Sequence, residues 1–264
     1  MSYKKVAQPS KRTHASRRQS SSVIDAEVLI NNIKAIEEGP KKKQWSKHDL
    51  RTVHPLNPTQ EEMFVDFMQG NHICAVGSAG TGKSFCALYL AFNQVLAKDT
   101  PQDKIIIVRS AVPTRDVGFM PGTLEEKVSL YEQPYKDMCI ELFGREKTYD
   151  DMKEAKVIRF VTTSFIRGLS WNNAVVIVDE IQSMNFHEIN TVITRCGHNT
   201  QLVLCGDHKQ NDLLHKKTDQ SGIGQLLRVL PHVADFSVIS FTKYDIVRGD
   251  FVKQWIIACE SEGS

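Results

Sequence analysis

No stretch of the chain approaches the ~18 uninterrupted apolar residues of a membrane-spanning helix, and the N-terminus lacks the apolar centre of a secretory signal. Cysteine is sparse and scattered: Cys74, Cys86, Cys139, Cys196, Cys205 and Cys259 form no C-x-x-C pair, and no histidines cluster. This pattern argues against a disulfide frame or a zinc site and predicts reduced thiols in a cytoplasmic protein. Net charge is small as well, with 33 Lys and Arg against 31 Asp and Glu giving +2, so bulk electrostatics points to no partner. Internal repeats are absent. What is present is an ordinary soluble composition, 41% hydrophobic over 264 residues, enough to bury a core.

The charge is unevenly placed. Lys4, Lys5, Lys11, Arg12, Arg17 and Arg18 all precede the first acidic residue, Asp25. Residues 1–22 carry almost no large apolar side chain, so burial cannot offset the entropy of ordering them, and a mobile tail is predicted. A basic tail can hold phosphate backbones of RNA or single-stranded DNA by counterion release. It can equally be a solubilising extension. Val28, Leu29, Ile33 and Ile36 have helical spacing, Gly39-Pro40 closes that stretch, and a polar linker runs to about Val53. The expected division is a tail, short helix and linker over 1–53, then one folded domain over 54–264.

Within that domain, Glu61–Gln69 presents Met63, Phe64, Phe67 and Met68 on one helical face, with Thr59 as cap or Pro58 and Thr59 framing the first turn. Apolar runs follow at 72–76, 104–109, 157–162, 174–178, 201–205 and 236–241, with helical stretches such as 85–96 and 224–230 between them. Continuous β-branched runs alternating with helices predict an α/β fold with a mostly parallel sheet covered on both faces. The connection Ser110–Lys156 is unusually long. Insertions of that length in compact domains are usually functional. It holds Gly118-Phe119-Met120-Pro121-Gly122, a helix start at Thr123 with Glu126 three residues on, and then Tyr131, Pro134 and Tyr135.

The chemistry centres on Gly77-Ser78-Ala79-Gly80-Thr81-Gly82-Lys83-Ser84, a full match to G-x-x-x-x-G-K-[ST] between a short apolar strand and an apolar helix. That context aims successive backbone N–H groups at a polyphosphate, at the positive end of a helix. Lys83 can reach the β and γ phosphates of ATP, and the Ser84 hydroxyl can ligate Mg²⁺. Val175–Val178 runs into Asp179-Glu180. Asp179 then stands where a phosphate-bridging metal needs an acidic partner, and Glu180 where an attacking water is polarised. One strand, 104–109 or 157–162, is expected between the loop strand and this acidic strand, the arrangement of the glutamate-using P-loop ATPases.

Asp207 and Gln210 follow the next buried strand, at the carboxyl ends where ligands of open α/β sheets gather. Gln210 can sense the γ-phosphate. Gln60 carries an amide able to match the N6 and N7 edge of adenine, although a lone glutamine before a helix is as readily a surface residue. Arg109, Arg115, Arg167, Arg195 and Arg248 are candidates for stabilising phosphoryl charge, and spacing does not choose among them.

Taken in order, Leu56–Gln60, the glycine loop, Arg109 with Ala111-Val112, Gly118–Gly122, Leu124–Lys127 with Tyr131, Arg167-Gly168, Asp179–Gln182, Gly206–Leu213, Ser221-Gly222 and Asp245–Arg248 resemble the PhoH-like family over about 54–260. The resemblance implies a single RecA-like ATPase domain related to the nucleotide-binding half of superfamily 1 helicases. It also implies a homo-oligomeric ring, hexameric by family expectation, with links to RNA. The version of the second motif and the short, basic-tailed chain look like the phage-borne branch, which would place the protein in a host cytoplasm. By resemblance Gln60 matches the adenine reader, Gln210 the γ-phosphate sensor, and Arg248 the arginine of the closing motif. That arginine is expected to reach a neighbour's site. The family's second arginine after Gly168 is replaced here by Leu169.

The expected activity is Mg²⁺-dependent ATP hydrolysis by a motor or helicase-like remodeller of RNA or single-stranded DNA. The alternative from another class is an ATP-gated oligomeric scaffold with little turnover. A small-molecule kinase is disfavoured, because no acceptor pocket or lid is legible.

Overall fold

The computed structural model describes residues 45–110, 124–166, 168–207 and 221–262, without the side chains of 124–128. Its regular elements are α1 (Pro58–Met68), β1 (His72–Gly77), α2 (Lys83–Val95), β2 (Lys104–Arg109), α3 (Leu124–Phe143), α4 (Thr148–Glu154), β3 (Ile158–Thr162), β4 (Ala174–Asp179), α5 (Phe186–Ile193), β5 (Gln201–Gly206), α6 (Ile223–Val229), β6 (Phe236–Phe241) and α7 (Asp250–Ser261). All six predicted apolar runs are strands. They form one sheet in the order β3-β2-β4-β5-β1-β6, and every pairing is parallel.

Parallel strands buried on both faces explain the unbroken apolar runs. In β2, Ile105 and Ile107 face a cluster with α1, α2 and the α3–α4 hairpin. Their neighbours Ile106 and Val108 face a second cluster with α5, α6 and Trp171. The strand between the loop strand and the acidic strand is β5, which pairs with β1 on one side and β4 on the other. Sequence order had pointed to β2 or β3 instead. Those two lie beyond β4, because the chain crosses the sheet outward after α2 to β2 and β3, and comes back through β4 to β5.

The cap of α1 is Asn57, whose side-chain oxygen accepts the Gln60 N–H at 2.9 Å, with Pro58 in the first turn. Thr59 is not the cap; its hydroxyl donates to Asp245 Oδ1 at 2.8 Å and ties the helix start to the end of the domain. Residues before His54, read as linker, also reach the core. Trp45, Leu50 and Val53 pack against its first cluster, and the Arg51 N–H donates to the Leu142 carbonyl at 2.9 Å. Three separated apolar residues in a polar run give no periodic signal, so only the packing reveals them.

The long connection supplies α3 and α4. The hairpin is tied by Lys153 to the buried Glu132 at 2.6 Å and by Lys136 to Asp150 at 2.8 Å. Pro134 lies inside α3, where its missing N–H removes one helical bond. The predicted tail, the 25–37 helix and the 118–122 glycine pair with its Thr123 cap lie outside the described residues. No described helix is long and apolar enough to cross a membrane, and none of the six cysteines is in a disulfide.

Candidate active site

Parallel strands bring their carboxyl ends to one edge, and register fixes which residues meet there. Gly77 stands opposite Phe241, Val76 opposite Gly206, and Arg109 opposite Asp179. The sequence-separated motifs thus become neighbours.

The loop leaves β1 at Gly77, whose φ of 130° and contact with β6 admit no side chain: a Cβ there would lie 1.8 Å from the Phe241 carbonyl oxygen. The Ser78 N–H donates to that same oxygen at 3.1 Å. Gly82, at φ 83°, turns the chain into α2. Lys83 folds back over the loop and donates to the carbonyls of Gly77 at 2.8 Å and Ser78 at 2.7 Å, and to Thr81 Oγ1 at 3.2 Å. Burial pushes its pKa down, against the opposing pull of Asp207, Cys205, Asp179 and Glu180. Ser78 Oγ is buried without a partner.

Ser84 Oγ donates to Asp179 Oδ1 at 2.8 Å. This joins the first turn of α2 to the end of β4 and makes the oxygen pair that a Mg²⁺ held mostly by phosphate and water requires. Among the described residues no group of three or more His, Cys, Asp or Glu could cage a metal. The Ser84 and Asp179 oxygens fit a Mg²⁺ that arrives with nucleotide. Ser84 would ligate it and Asp179 would hold its water.

Glu180 sits at φ 55°, in the left-handed region, where a residue with a Cβ is strained by roughly 1–2 kcal/mol. Its own N–H donates to Asp179 Oδ1 at 3.1 Å. The Arg109 guanidinium lies 3.6 Å from Glu180 Oε1, and Gln182 Nε2 donates to Oε2. Burial first, and the Asp179 charge second, raise the Glu180 pKa; Arg109, Gln182 and Lys83 pull it back. The buried Gln182 is also held from its other side, where Oε1 accepts the Asp207 N–H at 3.0 Å.

Two cavities share this edge. One of about 240 Å³ is lined by the loop, Lys83, Ser84, Asp179, Glu180, Asp207 and Arg248. A larger one of about 830 Å³ adjoins it through Gly80, Gly82, Phe85 and Arg248, and extends to His54, Leu56 and Gln60. The first is lined by the loop and the two carboxylates, and the second opens beside it toward Gln60.

Gln60 borders the larger cavity, yet its amide is engaged within the protein. Nε2 donates to the Thr81 carbonyl at 2.9 Å and Oε1 accepts the Leu56 N–H at 2.8 Å. A buried amide needs partners for both ends, and the chain itself supplies them. Arg248 lines the smaller cavity beside the loop. The reason is the sheet order: β6 lies beside β1, so the segment after it passes the loop, and the Val247 N–H donates to the Gly80 carbonyl at 3.0 Å.

Arg195 is excluded from the site, since its backbone pairs with Trp171 at the amino end of β4. Gln210, Arg115 and Arg167 lie outside the described residues. Sequence reasoning gave no role to Gln182 or Tyr135. The Tyr135 hydroxyl donates to Asp179 Oδ2 at 2.7 Å, and the one sequence signal for it was its place four residues after Tyr131 in the long connection.

A six-stranded parallel sheet with a phosphate loop after β1, an Asp-Glu pair after β4 and β5 between them is a RecA-like P-loop ATPase domain. The chain belongs to the PhoH-like family, whose description as PhoH-like protein matches residues 52–260. It is 30% identical over 210 residues to the PhoH-like protein of Mycobacterium leprae, covering 79% of this chain and 58% of that one. The Synechocystis PhoH-like protein is 33% identical over 186 residues, covering 70% and 55%. Protein PhoH of Escherichia coli K12 is 27% identical over 250 residues, covering 93% and 67%. The chain thus spans about three-fifths of the length of the first of these relatives. These relatives are bacterial, and the phage-borne affinity read from the sequence finds no support among them. A solved large terminase from a thermophilic bacteriophage, in complex with ADP, is 15% identical with a TM-score of 0.47, covering 76% of this chain and 49% of that one. Pif1 helicase from Candida albicans is 18% identical with a TM-score of 0.36, covering 72% and 41%.

Proposed function

We propose that this chain hydrolyses ATP with Mg²⁺ and uses the cycle to move on or remodel RNA or single-stranded DNA. The observation that carries the hydrolytic part is the carboxylate pair: Asp179 bonded to Ser84, and Glu180 beside it held by Arg109 and Gln182. A protein that only bound nucleotide would have no need to hold a strained glutamate at this place. In the proposed reaction the loop N–H groups and Lys83 bind the phosphates, Glu180 accepts the proton of the attacking water, and Arg109 and Arg248 stand by to balance charge. Mg²⁺ supplies neutralisation of the developing phosphate charge when bound. Gln210 is proposed as γ-phosphate sensor.

The nucleic-acid part is supported by the six basic residues preceding Asp25 and by the family resemblance. Assembly of several copies is supported by apolar exposure beside Arg248: Tyr244, Phe251 and Trp255 are 78%, 79% and 64% exposed. Steady-state ATP hydrolysis by wild type and Glu180→Gln, with and without single-stranded RNA, tests the proposal, with particle mass from light scattering. Turnover lost in Glu180→Gln and raised by RNA on a large particle supports it. Tight ATP binding without turnover in wild type would refute the hydrolytic part.

A further inference from the structure

We propose that Tyr135 is a positioning residue for the metal site, acting through Asp179 from a helix that carries none of the recognised nucleotide motifs. The inference rests on the reading of Asp179 as the carboxylate that serves Mg²⁺.

A terminal carboxylate turns easily about its last single bond, in a broad two-fold well. Holding it in one orientation requires contacts on both oxygens. Asp179 has them: Oδ1 accepts from Ser84 Oγ at 2.8 Å and from the Glu180 N–H at 3.1 Å, while Oδ2 accepts the Tyr135 hydroxyl at 2.7 Å. The last is a charge-assisted O–H bond within the short range that marks the stronger class. Tyr135 is itself fixed. It is 1% exposed, sits in the first core cluster, and its ring is 5.8 Å from that of Phe160 in a tilted contact. A phenylalanine would fill that apolar site with no hydroxyl to satisfy, so the O–H is there for Asp179.

One turn earlier on the same helix, Tyr131 places its ring under the Arg109 guanidinium, 5.8 Å from the centroid. Arg109 in turn reaches Glu180 at 3.6 Å. Residues four apart share a helix face, so α3 holds the metal-site carboxylate directly and the water-site carboxylate through an arginine. With Oδ2 pinned by Tyr135, the Asp179 carboxylate presents a fixed plane to Ser84 and to the water of an arriving Mg²⁺.

The test is a Mg²⁺ titration of the full chain with a fluorescent ATP analogue, from a metal-free baseline in EDTA, on wild type, Tyr135→Phe, Asp179→Asn and the double variant. Tyr135→Phe is expected to melt within a few degrees of wild type and to bind metal-free nucleotide equally well. Its half-saturating Mg²⁺ should be about tenfold higher, the scale of one charge-assisted bond. Asp179→Asn should raise it further, and the double variant should equal Asp179→Asn, because Tyr135 acts only through that carboxylate. A Tyr135→Phe half-saturation equal to or below wild type, or effects that add in the double variant, overturns the proposal. Absence of any Mg²⁺-dependent binding in wild type would instead remove the metal-site reading beneath it.

Discussion

Gln182 holds Glu180: its amide nitrogen donates to one carboxylate oxygen, while its amide oxygen accepts the backbone N–H of Asp207. One buried side chain therefore ties the Glu180 carboxylate on the β4 side to Asp207, the residue after β5. Removing it frees Glu180 to turn and leaves the Asp207 N–H without its acceptor.

Gln182→Ala is therefore expected to lower kcat of ATP hydrolysis about 10- to 100-fold with little change in KM, the behaviour of a lost partner of a catalytic group. Steady-state kinetics measures both. A rise in KM at constant kcat would mean that Gln182 serves nucleotide binding instead.

Arg248 lines the cavity of its own chain. Mixing Arg248→Ala subunits with Glu180→Gln subunits is thus expected to give no hydrolysis above the sum of the two alone, at any ratio. Activity restored in mixtures would show that one subunit's arginine completes the site of another.

Gly77 admits no side chain, because a Cβ would stand 1.8 Å from the Phe241 carbonyl oxygen in a tight β1–β6 contact. Gly77→Ala should destabilise the domain by roughly 3 kcal/mol, combining backbone strain with overpacking. Chemical denaturation reads this directly, as a lower midpoint with little change in slope. An unchanged midpoint would contradict the described path of the loop.

Asp245 accepts four bonds: its Oδ1 from the Thr59 hydroxyl at 2.8 Å, and its Oδ2 from the Thr242 N–H at 2.7 Å and hydroxyl at 2.9 Å, while Asn57 Nδ2 donates to its carbonyl at 3.1 Å. Burial alone would raise the carboxyl pKa, but the Thr242 and Thr59 donors outweigh it and lower it from 3.8. A lowered folded pKa gives stability that is complete above the unfolded value and is lost as pH falls through the folded one. Asp245→Ala should cost about 2 kcal/mol near neutral pH, and the gap to wild type should narrow below about pH 4. A gap that widens in acid would reverse the assigned sign.

The sequence by itself determined the six strands, the parallel α/β class, the phosphate loop with Lys83 and Ser84, and the Asp179-Glu180 pair. Each is local: an unbroken apolar run, a glycine spacing, or a carboxylate pair at a strand end carries its signal within about ten residues. Tertiary structure decided what depends on contact between distant segments. It put β5 between β1 and β4, because strand order is set by which crossover covers which face. It committed the Gln60 amide to Leu56 and Thr81, and set Arg248 on the cavity beside the loop through the β1–β6 pairing. It brought Tyr135 from α3 across 44 positions of sequence to Asp179. A tyrosine in an amphipathic helix looks the same in sequence whether its hydroxyl ends in solvent or on a carboxylate, and only the packing of α3 against the sheet distinguishes the two.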